Sequence, residues 1–253
     1  MLSALIQGSA LGGFLCIGAL QPRDPEQGFV TKDTLINVAN GLMLFGLRVT
    51  LITWVASYCE LGLVDGALIS SPFAQFLSAF LILDFTRYWL HRAHHRVPWL
   101  WTFHRVHHMT ERLDATAGLR MHVVDFLQLA MLPTVLFSVL LNVSSWPTWV
   151  LPAALSVGAI ADAFQHANLR WNPRHPVARV WGVVLNNPHF HAWHHTRDGS
   201  KCDGNYGNTL VIWDRMFGSD VTGEELPDAF GLESDQALSN HLLDMHLLRR
   251  RHP

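Results

Sequence analysis

The chain alternates between long apolar runs and long polar stretches. Residues 2–20 carry no charged side chain, and 38–58 is apolar apart from a few polar groups and Arg48. A third run covers 73–83 and leads into Asp84; two more, 126–141 and 146–161, are separated only by 142–145. A bilayer-spanning helix needs about 20 apolar residues. The first two runs reach that length. The others are shorter, which fits tilted, interfacial or partly buried segments. The pattern predicts an all-α integral membrane bundle of four to five segments, with segment one re-entrant as an alternative to spanning. A domain division follows: 1–72 as N-terminal membrane segments, 73–219 as a core, and 220–253 as a polar tail.

Charge orients this arrangement. Lys and Arg occur in 21–37 (Arg23, Lys32), in 84–125 (Arg87, Arg92, Arg96, Arg105, Arg112, Arg120) and after 165, but not in 59–72 or 142–145. The positive-inside rule makes the first three regions cytoplasmic. Arg48 in mid-segment is costly in lipid and is expected to face the bundle or a headgroup. Trp89, Trp99, Trp101, Trp146 and Trp149 lie near segment ends, as interfacial aromatics do.

Composition excludes several classes. Among 253 residues, 49% are hydrophobic and 15% charged, against about 25% charged in an ordinary soluble domain. Disorder is not the theme, and a net charge of -2 leaves no nucleic-acid footprint. Cys16, Cys59 and Cys202 are far apart, so neither a disulfide framework nor a thiolate zinc site is indicated. The unusual count is 16 His against 18 Lys plus Arg.

Those histidines are clustered. The first ninety residues hold none. Then come His91, His94 and His95, followed by His104, His107 and His108, and later His189, His191, His194 and His195. On a helix, i, i+3 and i+4 share a face. His104, His107 and His108 meet that condition, as do His191, His194 and His195; His91 and His95 form an i, i+4 pair. Three imidazole faces thus lie just cytoplasmic of the apolar runs, as a helical metal-binding cap. Eight imidazoles are too many for one ion, and imidazole suits Zn, Cu, Fe and Ni; two metals are the simplest account. His122 and His166 extend the candidates to ten. His94 and His189 fall off the repeat and read as structural or supporting, and His241, His246 and His252 as solvated residues of the tail.

The run Asp84-Phe-Thr-Arg-Tyr88-Trp89-Leu-His91-Arg92, continuing through His95, Pro98, Trp101 and His104-Arg-Val-His107-His108, resembles the fatty acid hydroxylase/sterol desaturase superfamily. So do Pro188-x-x-His191-x-x-His194-His195, Asp203-Gly-Asn205-Tyr206-Gly207 and Trp213-Asp214-Arg215-Met-Phe217-Gly218. The resemblance covers roughly 73–219. It implies a membrane oxygenase with a histidine-bound di-iron centre, which uses O2 and two electrons to hydroxylate or desaturate an unactivated lipid C–H bond.

Carried over residue by residue, the resemblance implies metal ligands at His91, His95, His104, His107, His108, His191, His194 and His195. His122, in Arg120-Met-His122, and His166, in His166-Ala-Asn168, complete the set. Met109 and Thr196 stand where serine often follows the family's paired histidines. Asp84, Asp203 and Asp214 are candidates to accept the far imidazole N–H and fix its tautomer, with capping or pairing to arginine as the alternative.

No cytochrome b5-like domain is expected ahead of the core, and electrons are expected from a separate donor: a cytochrome b5-like protein, a ferredoxin or a reductase. The substrate is expected from the bilayer: a sterol, fatty acyl, carotenoid or ether lipid. The expected location is a bacterial inner membrane with the metal site cytoplasmic. The competing reading is a membrane zinc-dependent lipid hydrolase or amidase, which needs about three ligands and a carboxylate base and leaves most of these histidines without a role. A metal carrier would place histidines within the spans, and a haem cytochrome would need only paired axial ones.

Overall fold

Several of the helices that carry or adjoin the histidines begin at prolines. The structure, a computed structural model, describes residues 2–56, 62–199, 201–221, 223, 225–233, 236 and 238–250; the Arg48 side chain, Cys59 and His252 lie outside them. Helix α1 covers Leu2–Leu20 and α2 covers Lys32–Ala56. Helix α3, Pro72–Arg96, starts at a Ser71 cap with Pro72 in its first turn. It stops at Val97, because a residue before proline is pushed out of the helical region. Pro98 then opens α4, Pro98–His108. The one-residue break folds α4 back against α3, and this brings His104 to His91.

A short helix α5, Val123–Asp125, runs into a π-helical stretch, Phe126–Met131, and then α6, Leu132–Leu140. Pro133 offers no N–H to the turn before it and crowds the carbonyl four residues back, a sufficient cause for the widened turn. Helix α7 is Val150–His166, α8 is Pro176–Val184 and α9 is Pro188–His194. Helix α9 is capped by the Asn187 side chain, which accepts from the N–H groups of His189 and Phe190. Helices α10, Ile212–Met216, and α11, Leu242–His246, are short.

The centre of the fold is α3 against α7, with α1 on the other side of α7. Ala79, Leu83, Phe137, Leu141, Trp146, Val150 and Ala154 form the principal apolar core. Two two-residue strands, β1 at Val64–Asp65 and β2 at Leu141–Asn142, pair in parallel, and Trp146 Nε1 donates to Gly66 O at 2.9 Å. The connections predicted to share one side therefore meet at one end of the bundle. Helices α3 and α7 both start there and both deliver histidines at their C-terminal ends.

The chain is mostly helical, as the sequence led one to expect. Among the described residues, one helix, Val123–Leu140, is long and apolar enough to cross a membrane, and Leu5–Leu20 is a shorter apolar helix. The stretch expected to be a solvated tail folds back instead. Leu238 and Met245 are buried against Val106 and Met109 of α4. His246 is half-buried, its Nδ1 accepting from Val123 N at 3.2 Å and its Nε2 2.9 Å from Asn40 Oδ1. Apolar residues spaced between the polar ones of 238–248 drive this docking.

Candidate metal centre

Nine imidazoles converge into two groups. His91 and His95 of α3, His104 and His108 of α4 and His194 of α9 form the first; within it, one nitrogen from each residue lies within 4.8 Å of the others. His107 of α4, His166 at the end of α7, and His191 and His195 of the α9 turn form the second, within the same limit. The two paired boxes divide in opposite senses. In α4 the i and i+4 residues enter the first group and the i+3 residue enters the second. In α9 the i and i+4 residues enter the second and i+3 enters the first. Each of these helices lies between the groups and serves both.

Hydrogen bonds determine the tautomers. His91 Nδ1 donates to Tyr206 O at 2.8 Å, His194 Nδ1 to Gly204 O at 2.8 Å, and His166 Nδ1 to Asp162 O at 2.7 Å. His107 Nδ1 donates to Arg120 O at 3.3 Å, and His104 Nδ1 faces the Asp125 carboxylate at 3.1 Å. A carbonyl oxygen only accepts, so each of these rings carries a proton on Nδ1, and the singly protonated ring that ligates a metal has a bare lone pair on Nε2. Yet His91 Nε2 lies 3.1 Å from His104 Nε2, and His107 Nε2 lies 3.3 Å from His166 Nε2. Two acceptors at that distance repel unless a cation lies between them.

The spacing fits a cation. Nitrogens about 2.1 Å from one ion, at angles between a right angle and the tetrahedral angle, lie about 3.0–3.4 Å apart. In the second group His191 Nε2 and His195 Nε2 are 3.0 and 3.2 Å from His166 Nε2 and 3.1 Å from each other. Buried His194 Nε2 and His108 Nε2 have no hydrogen-bond partner, and neither nitrogen of His95 has one. Burial, the largest cause in each case, holds the rings of His107 and His194 down to about 3 and those of His104, His108, His191 and His195 well below the usual imidazole value. They are neutral at pH 7, the form that ligates a metal.

The remaining sequence candidates sit elsewhere. His122 joins neither group. Its Nδ1 accepts from Val124 N at 3.1 Å as the cap of α5, and its Nε2 donates to His246 O at 3.0 Å. The extended backbone at His122 turns both nitrogens to the chain rather than to the metal groups. His94 Nδ1 donates to Leu90 O at 2.7 Å and its Nε2 meets the Gln128 side chain at 2.7 Å. His189 Nε2 donates to Gly223 O at 2.7 Å.

The three aspartates divide in the same way. Asp84 accepts from Thr209 N at 3.0 Å, Leu210 N at 3.2 Å and Trp213 Nε1 at 2.9 Å, and touches no imidazole. Asp214, which burial raises to about 6, accepts from Tyr206 N and Gly207 N at 2.8 Å and from Ser219 Oγ at 2.8 Å. Both therefore hold the loop whose carbonyls orient His91 and His194. Asn205 in that loop takes a left-handed φ of 57°, which its short polar side chain tolerates. Of the three, only Asp203 nears a ligand-type ring, its Oδ1 being 3.4 Å from His95 Nδ1.

The carboxylate that sequence reasoning missed is Asp125. It is fully buried, 3.1 Å from His104 Nδ1 and 3.5 Å from His94 Nε2. A signal existed: it is the lone acid at the edge of the apolar run 126–141, three residues after His122.

The sequence profile of the fatty acid hydroxylase family matches residues 76–219, more than half of the chain and all nine converging histidines. The chain belongs to the fatty acid hydroxylase family. Among its relatives, this family member is 34% identical over 158 residues to alkylglycerol monooxygenase of Xenopus tropicalis, covering 61% of this chain and 32% of that one. It is 30% identical over 150 residues to ornithine lipid hydroxylase OlsE of Rhizobium tropici, covering 57% and 41%. It is 33% identical over 156 residues to fatty acid hydroxylase vlmA of a Lecanicillium species, covering 58% and 42%. The chain thus spans between about a third and two fifths of the length of these relatives. No solved structure matches it.

Proposed function

We propose that this fatty acid hydroxylase family member is a membrane-bound lipid oxygenase that holds two iron ions, one in each histidine group. The observation that carries the reading is the pair of bare Nε2 contacts, His91 with His104 and His107 with His166, inside a match to a hydroxylase family. When bound, the two irons supply O2 activation and the oxidation of a C–H bond.

The chain's own residues do the rest. The carbonyls of Tyr206, Gly204, Arg120 and Asp162 keep Nδ1 protonated and aim Nε2 inward. Asp125 adds a negative charge behind His104, which raises the basicity of that ring. Asp84 and Asp214 keep the 204–210 loop packed over the first group, and the nine rings are shielded from bulk water. The substrate class is a lipid, taken from the bilayer: relatives are named for alkylglycerol, ornithine lipid and fatty acid. The protein sits in a bacterial inner membrane with the histidine groups on the cytoplasmic side, where a separate redox protein delivers the electrons. A zinc hydrolase needs about three ligands, and two groups of five and four argue against it.

The test is metal analysis of the purified chain, with mass spectrometry of lipids from cells with and without it under labelled O2. Two irons per chain and label in a lipid product support the reading. One zinc with no oxygen requirement overturns it.

A further inference from the structure

The stretch 163–197 contains no Asp or Glu but carries Arg170, Arg174 and Arg179 around α8; a fourth arginine, Arg197, is turned to Glu111 and the Phe230 carbonyl. Within it α8 presents Val177, Val180, Trp181 and Val184, which at i, i+3, i+4 and i+7 form one apolar stripe. A helix in a water-soluble protein turns such a stripe to the core. Here it is turned outward: Val180 is 75% exposed, Val177 65% and Trp181 40%. The opposite face is the one that packs, through buried Ala178 and through Gly182, where a Cβ would already stand 3.4 Å from Asn187 Nδ2.

This helix is held rather than loose. Arg215 of α10 donates to the carbonyls of Gly182 and Val183 at its C-terminal end. Trp181 Nε1 donates to Asn186 O at 2.9 Å, and its ring packs on Trp171 and Phe164. Phe164 in turn packs on Phe14 of the apolar helix α1. The exposed stripe therefore continues the apolar surface of α1 and α7, and in chain order α8 connects α7 to α9, both of which deliver histidines to the second group.

We propose that α8 is an in-plane membrane-surface helix whose outward valines and Trp181 lie among the headgroups and upper acyl chains of an anionic bilayer. The inference rests on the membrane reading above. An apolar stripe, a tryptophan and an acid-free arginine flank are what a helix lying in that interface requires, and anionic lipid complements the arginines. The helix would set the depth at which α9 holds His191, His194 and His195.

The test places a fluorescent thiol label at Val180→Cys, and separately at Arg179→Cys, with Cys16, Cys59 and Cys202 replaced by serine. Each protein is placed in vesicles of phosphatidylcholine and phosphatidylglycerol brominated high on the acyl chain. Metal content reports that the variants fold. Loss of emission at 180 to brominated lipid, with 179 quenched by aqueous iodide instead, is the expected result. Equal iodide quenching at both positions overturns the proposal, as does a label at 180 shielded from both quenchers in a preparation that cross-links as a dimer. If either overturning result comes from a preparation that still oxidises lipid, docking of α8 fails and the oxygenase reading stands.

Discussion

Asp125→Asn isolates a charge placed behind one metal group only. The substitution keeps the shape and leaves an oxygen able to accept from His104 Nδ1, 3.1 Å away. It removes the negative charge. A hydrogen bond to a charged group contributes about 1.5–3 kcal/mol and a neutral one about 0.5–1.5, so roughly 1–2 kcal/mol of support for His104 is lost. Removing an outer carboxylate of this kind weakens metal binding about 10–100-fold, the same range within a factor of a few.

His104 belongs to the first group, and Asp125 contacts no ring of the second group by hydrogen bond or ion pair. On the proposed two-metal reading the weakening therefore falls mainly on one ion. A chelator titration followed by metal analysis should show one ion released at about 10–100-fold lower chelator than in the unmodified protein, the other shifted much less. The apo protein should not be less stable to urea, because a fully buried carboxylate is costly to keep charged. Equal weakening of both ions, or of neither, would refute the assignment of Asp125 to the first group.

Three further outcomes follow from the geometry. His122→Ala should lower apo stability by about 1 kcal/mol through the lost cap of α5 while metal content is unchanged; loss of a metal would return His122 to the ligand set. Gly207→Ala should reduce the yield of folded protein, because the added Cβ would stand 2.4 Å from Leu210 O and 2.8 Å from Asp214 Oδ2; normal thermal unfolding would contradict the close approach.

Acid should destabilise the apo protein. His107 and His194 sit at about 3 when folded and near 6.5 when unfolded, so the unfolded chain binds more protons in that window. Stability present above 6.5 then falls as pH drops towards 3, by about 1.4 kcal/mol per unit for each ring. Asp214, raised from 3.8 to about 6, works oppositely below 6 and offsets one ring's share. Urea titrations that give equal stability at pH 7 and pH 4.5 would refute the depressed imidazoles.

The histidine boxes were legible because a helix converts i, i+3, i+4 spacing into a face, whatever surrounds it. That reasoning found His91, His95, His104, His107, His108, His191, His194 and His195 as candidates; His166, a single histidine at the end of an apolar run, entered through its place in the chain and the family resemblance. The starts of α3, α4, α8 and α9 at Pro72, Pro98, Pro176 and Pro188 came from the structure. His122 shows the limit of this reading. It lies beside the boxes in sequence, yet whether its lone pairs reach the metal groups or a helix end depends on a backbone turn that spacing does not encode.

The sequence by itself determined which residue types were available and on which local face they lay. The tertiary structure alone decided how nine rings divide five and four. It did so because a metal group forms where side chains from α3, α4, α7 and α9 meet, and the angles between those helices are set by packing distributed over the whole bundle. The same holds for the partners of the rings. Asp125, and the carbonyls of Tyr206 and Gly204, reach the imidazoles across 21, 115 and 10 residues of chain. A carbonyl has no side-chain signature, so only its position in the fold reveals what it holds.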